Sequence, residues 1–166
     1  AQYDSISVRL AEEDRSVNGN RLQVFGSITK DPVASGADLV GYSGFSGGNY
    51  LQQPYNSDLQ FGTGDFCVIN WFKISGTEHT DFNSFYDNGY STSSSSVYFN
   101  VGLINPDGTI NFRTRSGGAN NNLTSTLGNL DDDAWHCLVC LRRNNVKEIW
   151  IDGQLSGTLA DDRDVT

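Results

Sequence analysis

The stretch AWHCLVCLRRNNVKEIWIDGQLSG, residues 134–157, constrains this chain more than any other. Two runs rich in β-branched, aromatic and cysteine residues are separated by Asn144-Asn145, and Asp152-Gly153 leads into a third. Asn and the Asp-Gly pair accept the left-handed backbone that a two-residue hairpin turn demands. So short a connection permits only antiparallel neighbours. The segment therefore predicts a three-stranded meander, WHCLVCLRR, VKEIWID and QLSGTL.

The same strand-and-turn rhythm runs through the rest of the chain. LQVFGSI (22–28), ADLVGYSGF (37–45), NYLQQPY (49–55), DFCVINWFKI (65–74) and SFYDNGY (84–90) read as strands. VYFNVGLI and TINFRTR flank Asn105-Pro106-Asp107-Gly108, where Pro presets one turn angle and Gly supplies positive φ. STSSSS (91–96) and GGANNN (117–122) read as polar loops. The best helical candidate, SVRLAEEDRS (7–16), is short and has no sustained apolar stripe. Roughly ten short strands and no long helix predict an all-β antiparallel sandwich or barrel. The charged, turn-rich stretch AEEDRSVNGN divides an N-terminal arm or linker, residues 1–20, from a domain spanning 21–166.

At 166 residues the chain is long enough for one domain with a core. The formal charge of −9 argues against a nucleic-acid partner, whose phosphates are bound by clustered Lys and Arg. No run of about 18 apolar residues is long enough to span a membrane as a helix. The chain starts with Ala and contains no Met, and it reads as a piece of a longer protein.

Cys137 and Cys140 form a Cys-x-x-Cys pair, but in a strand residues three apart point to opposite faces. Trp135, Cys137, Val139 and Leu141 share one face; His136, Leu138, Cys140 and Arg142 share the other. With one further cysteine, Cys67, and one further histidine, His79, no four-ligand zinc site assembles. The three cysteines are expected as buried free thiols. Trp71, Trp135 and Trp150 each sit in a strong strand and are expected in the core. Glu148 and Asp152 lie on one strand face but ~13 Å apart, too far for a glycosidase pair. Nucleophile-elbow, phosphate-loop and dinucleotide motifs are absent. The clusters Asp131-Asp132-Asp133 and Asp161-Asp162-Asp164 fit no EF-hand spacing, although loop carboxylates of this kind suit calcium.

Sugars are bound by stacking on aromatic rings and by hydrogen bonds from amide, carboxylate and backbone groups. Tyr86, Asp87, Asn88 and Tyr90, with Asn120, Asn121 and Asn122, supply these groups beside polar loops. They are the candidate carbohydrate-binding residues, Tyr86 and Tyr90 as stacking rings and the asparagines as paired donors and acceptors.

DFCVINWFKI resembles the strand of pattern φ-[ST]-φ-x-x-W-φ-[KR], φ being apolar, in laminin-G-like, concanavalin-A-like domains. Trp135-His136 and Trp150-Ile151-Asp152-Gly153 resemble the start and end of that family's paired strands. SITKDPVASGADLVGYSGFSGGNYLQQPYNSDLQFGTGDF is similar to the version found in tail and other virion proteins of bacterial viruses. The resemblance implies a jelly-roll sandwich, localised to a virion or the extracellular space. It implies a non-catalytic module that contacts a glycan or host-surface receptor and assembles with other virion chains as a homo-oligomer. A purely structural assembly domain and a glycoside hydrolase of the same fold are the alternatives. The glucanases' Glu-x-Asp-x-x-Glu strand is missing, which counts against hydrolysis. Some relatives bind calcium, so a Ca2+ ion is the one cofactor the resemblance leaves open. The family also carries a further strand after the Asp-Gly hairpin, whereas here the sequence reads LADDRDVT, so the last strand is missing or supplied by another chain.

Overall fold

The structure is a computed structural model describing residues 9–10, 19, 21–75, 83–89, 96–104 and 107–166. The chain forms two compact units, residues 1–59 and 60–166. Tyr90 and most of the STSSSS loop, His79, and most of the helical candidate at 7–16 lie outside the described residues.

In the first unit β1 (Arg9–Leu10), β2 (Gln23–Phe25) and β5 (Tyr50–Gln52) make a three-stranded sheet in the order β1-β2-β5. β3 (Thr29–Pro32) and β4 (Val40–Ser43) make a separate hairpin. Arg9 and Leu10 thus belong to a sheet, inside the stretch expected as an arm. The Asn49 side chain accepts from the Ser27 amide and donates to the Gly44 carbonyl, tying the turns together. Gly26 has φ of 70°, and a Cβ there would collide with Asn49 and Gly48. No described residue of 21–59 is buried. A 3-10 turn at Ser57–Leu59 is the only helical element among the described residues.

The second unit is a two-sheet antiparallel sandwich. β6 (Phe66–Phe72), β11 (His136–Arg143), β12 (Val146–Ile151) and β13 (Gln154–Ala160) form one sheet in the order β13-β12-β11-β6. β7 (Asn83–Asp87), β8 (Tyr98–Ile104), β9 (Thr109–Ser116) and β10 (Ala119–Thr124) form the other, in the order β10-β9-β8-β7. Phe66, Phe72, Leu138, Cys140, Ile149 and Ile151 from the first meet Phe99, Val101, Leu103, Ile110 and Phe112 from the second in one core. Phe66 stacks on Phe61 at 4.8 Å and meets Phe112 edge-on at 5.9 Å. A bulge between Ser84 and Tyr86 lets consecutive Phe85 and Tyr86 both pack against the core.

Among the described residues three turns have positive φ at both central positions, the type I′ geometry that matches strand twist: Gly117-Gly118, Asn144-Asn145 and Asp152-Gly153. The last two are the turns expected from the sequence. The first corrects it: 117–122 is not a loop. Only Gly117-Gly118 turns, and Ala119–Thr124 continues as a strand paired with β9. Three successive asparagines have poor strand propensity, yet β9 supplies hydrogen-bond partners for two of their side chains.

The tryptophan expectation is also corrected. Trp71 is 63% exposed and Trp135 44% exposed, while Trp150 is half-buried. In β6 the inward set is Phe66, Val68, Asn70 and Phe72, which leaves Cys67, Ile69 and Trp71 outside. The outward set is wholly apolar and the inward one is apolar but for Asn70, so alternation alone did not say which one faces in. The cysteines follow the same geometry: Cys67 is exposed, Cys137 half-buried and only Cys140 buried, all three free. Burial pushes the Cys140 thiol well up.

Two fully buried cations sit on the inner side of this sheet. Arg142 donates to the carbonyls of Gly62, Gly64 and Arg163 at 2.6 to 3.0 Å, and lies 3.7 Å from Asp161. With the Val165 amide on the Gly62 carbonyl, it straps the C-terminal segment 161–166 to the entry of β6. Lys147 reaches across the sandwich to the Phe112 and Asn121 carbonyls and the Thr114 hydroxyl, at 2.7 to 3.1 Å. Burial pulls its pKa down to about 8.

Candidate functional site

The outer face of the β10-β9-β8-β7 sheet is built mostly of polar groups, with Tyr98 and Ile104 of β8 among them. Phe99, Val101, Leu103, Ile110, Phe112 and Leu123 point into the core, so their neighbours in each strand point out. On β7 these are Ser84 and Asp87, opposite Gly102 and Asn100 of β8. On β9 they are Asn111, Arg113 and Arg115, opposite Thr124, Asn122 and Asn120 of β10. Each cross-strand pair from β9 to β10 is a hydrogen bond. Arg115 Nη1 donates to Asn120 Oδ1 at 2.7 Å, Arg113 Nε to Asn122 Oδ1 at 3.0 Å, and Asn111 Nδ2 to Thr124 Oγ1 at 3.3 Å. On the other side Asn100 Nδ2 donates to Ser84 Oγ at 2.6 Å and Asp87 Oδ2 at 3.0 Å.

The edges of this face are exposed at Ser84, Asp87, Asn120, Asn122 and Thr124, and its middle is screened from solvent. Asn100 and Asn111 are 1% and 3% exposed. The Oδ1 atom of each accepts no hydrogen bond among the described residues. An unpaired buried acceptor costs ~1–3 kcal/mol, and native structures carry few. Asn111 stands directly opposite Gly102, two residues along β8 from Asn100. The two acceptors thus flank a position that contributes no side chain of its own. The arrangement offers acceptors in the middle, guanidinium and amide donors towards one edge, and a carboxylate at the other.

The residues expected from the sequence divide over this sheet. Asp87, Asn120 and Asn122 lie on the polar face at opposite edges, three strand spacings or ~14 Å apart. Tyr86 points inward, and its ring stacks on Phe99 at 4.9 Å instead of standing free for a ligand. Burial pushes its hydroxyl pKa up, with Asp87 adding to the effect. Asn121 also points inward, donating to the Ala160 carbonyl at 2.8 Å and to Asp161 at 3.2 Å. Asn88 Oδ1 accepts the Phe99 amide at 2.6 Å. Arg113, Arg115, Asn100 and Asn111 escaped the sequence reading. The alternation of FRTR and FNVG held the signal, since polar residues at every second position of a strand mark its non-core face.

A second polar cluster sits at the end of the other sheet. His136 Nδ1 lies 2.8 Å from Asp152 Oδ2, and its Nε2 3.1 Å from Asp132 Oδ1. With both ring nitrogens facing carboxylates, the imidazolium is the form that satisfies both bonds. Burial alone would push His136 down, but the bonds to Asp152 and Asp132 outweigh it and the net direction is upward. Asp132 is lowered by the Ala134 amide and by His136, and Asp152 by His136 and the Cys137 amide. Three of the six carboxylates considered for calcium are in ion pairs: Asp132 with His136, Asp133 with Lys73 at 3.2 Å, and Asp161 with Arg163 at 3.3 Å. No group of three His, Cys, Asp or Glu side chains converges as a metal site among the described residues.

The second unit is thus a sandwich of two four-stranded antiparallel sheets whose β7 to β10 outer face is mostly polar. Residues 45–166 match the profile of the Concanavalin A-like lectin/glucanases superfamily, and the chain belongs to that superfamily. No curated protein matches the chain.

Proposed function

We propose that the chain is a non-catalytic carbohydrate-binding module of a virion or other extracellular adhesion protein, and that it holds glycan on the polar face of β7 to β10. The observation that carries this reading is the set of exposed polar side chains along the two edges of that face, Ser84 and Asp87 on β7 and Asn120, Asn122 and Thr124 on β10. Sugar hydroxyls donate to carboxylate and carboxamide oxygens such as those of Asp87, Asn120 and Asn122, and accept from donors such as the Arg113 guanidinium. Membership of a superfamily of lectins and glucanases supports the ligand class. Asp87 is the one carboxylate on this face among the described strand residues. Hydrolysis by the usual route needs two carboxylates within ~10 Å, so this face favours holding over cleaving. The tail-protein part of the proposal rests on the similarity of residues 27–66 to phage virion sequences.

A glycan array probed with the full chain tests the reading, followed by titration of any hit. Arg113→Ala combined with Asn122→Ala should lower affinity at least ~10-fold, the worth of one or two polar contacts. The melting temperature should stay nearly constant. Binding unchanged by this pair would place the site elsewhere, and release of reducing sugar by the wild-type chain would replace attachment with catalysis.

A further inference from the structure

We infer that the outer face of the β13-β12-β11-β6 sheet is a self-association surface, and that its occupant is a second copy of this chain. This face lies on the other sheet of the sandwich from the polar one, and the inference does not rest on glycan binding. Trp71 opposes Cys137, Ile69 opposes Val139, Val139 opposes Trp150, and Trp150 opposes Leu155. These pairs form an unbroken apolar band across all four strands. Ile69 is 66% exposed, Trp71 63% and Leu155 49%, and Trp135 continues the band just before β11.

Charge selects the partner. The chain carries a net −9, so two copies repel through most of their surface. On the outward positions of these four strands the only charged side chains are Arg143 and Glu148, and they pair with each other at 3.4 Å. Lys73, just past β6, is paired with Asp133. This face therefore adds no net charge of its own when it meets its own copy. A Lys- or Arg-rich partner, which the net charge would attract, finds no unpaired anion on these strands.

Area sets the strength. Four strands ~4.8 Å apart and about seven residues long give a footprint of roughly 450 Å². That is a full-sized patch for a monomer, where the largest apolar patch is ~300–600 Å². It falls below the ~800 Å² per partner of a standard stable interface. The expected product is a weak, reversible dimer of two sheets packed face to face, ~10 Å apart. Such pairing multiplies avidity when several copies share one particle.

Sedimentation velocity of the full chain, in reducing buffer because Cys67 is exposed, tests this from about 1 μM to about 1 mM, the range of weak complexes. A concentration-dependent dimer is expected. Ile69→Glu on β6 and, independently, Leu155→Glu on β13 should each weaken it at least ~10-fold, with the circular dichroism spectrum unchanged. Asn122→Ala, on the other sheet, should leave it intact. Added salt should strengthen the dimer by screening the repulsion elsewhere. A chain that stays monomeric throughout overturns the inference, as does a dimer that survives both glutamate variants. If the chain stays monomeric and Trp71→Ala abolishes its glycan retention, the face is a sugar platform and the inference is likewise overturned.

Discussion

Strands β11 and β12 turn two contrasting faces to their surroundings. The face towards the core carries a guanidinium, an ammonium and an imidazole; the face towards solvent carries Trp150, Val139 and Leu141, beside the exposed Trp71 and Ile69 of β6. Leu138, Cys140, Ile149 and Ile151 share the inner face with these cations, and Arg143 and Glu148 share the outer one, so hydrophobicity alone separates the two faces poorly. Buried ions are tolerated where every donor finds an oxygen. Arg142 finds three backbone carbonyls and Lys147 two carbonyls and a hydroxyl. The contrast teaches that partners at fixed distances, together with residue type, decide which face goes in.

The sharpest way to break this contrast is Arg142→Ala. It leaves the Gly62, Gly64 and Arg163 carbonyls without their donor, and removing one member of a buried charged network costs ~3–5 kcal/mol. Urea unfolding should show that loss, and Arg142→Lys should recover little of it, because an ammonium lacks the planar fork. A cost below ~1 kcal/mol would mean that water replaces the guanidinium.

Lys147→Met comes next, at ~1–3 kcal/mol for carbonyls left unpaired. Its pH signature is distinctive. The folded pKa of about 8 lies below the unfolded value of ~10.4, so between them the unfolded chain binds more protons and this lysine adds stability as pH rises. The measured cost of Lys147→Met should therefore grow from pH 8 to pH 10. A flat difference would show that the three oxygens offset the cost of burial and keep the ammonium's pKa at its unfolded value.

His136→Ala is expected to cost ~1 kcal/mol, the scale of its hydrogen bonds. The folded His136 pKa is raised, so its contribution is complete below the ordinary value of ~6.5 and is lost as pH rises through the folded value. Asp132 and Asp152 are lowered, so theirs is present above ~3.9 and lost as pH falls through their folded values. The wild type should outperform the variant most between about pH 4 and 6.5. Equal melting curves across that window would remove the His136 bracket from the stability account.

Trp71→Ala should have the smallest effect, within ~0.5–1 kcal/mol, where a core tryptophan would cost ~3–5 kcal/mol. A loss larger than that of Arg142→Ala would invert the comparison and return Trp71 to the core.

The fold class was legible because turn chemistry is local: Asn144-Asn145 and Asp152-Gly153 adopt the backbone that their residues favour. The opposite-face placement of Cys137 and Cys140 followed from strand geometry alone. What escaped was long-range. Asn120, Asn121 and Asn122 look like a loop until β9 lies alongside them, and Trp71 looks like core until a second sheet selects Phe66 and Phe72. The candidate site was half legible for the same reason. Its edges, Asp87 and Asn120 with Asn122, stood out as polar clusters, whereas Asn100 and Asn111 are scattered singly among large apolar neighbours in a core-forming pair of strands.

The strap formed by Arg142 also has a temporal side. It joins positions 78 and 80 residues apart, and among the described strands β6 pairs only with β11, about 70 residues downstream. Translation at ~5–20 residues per second puts several seconds between emergence of β6 and arrival of its partner. During that interval CVINWF is an unpaired apolar strand on a nascent chain, the kind of segment that seeds aggregation. Yield on expression should then depend on elongation rate and on chaperones that shield β6, independently of how stable the finished protein is.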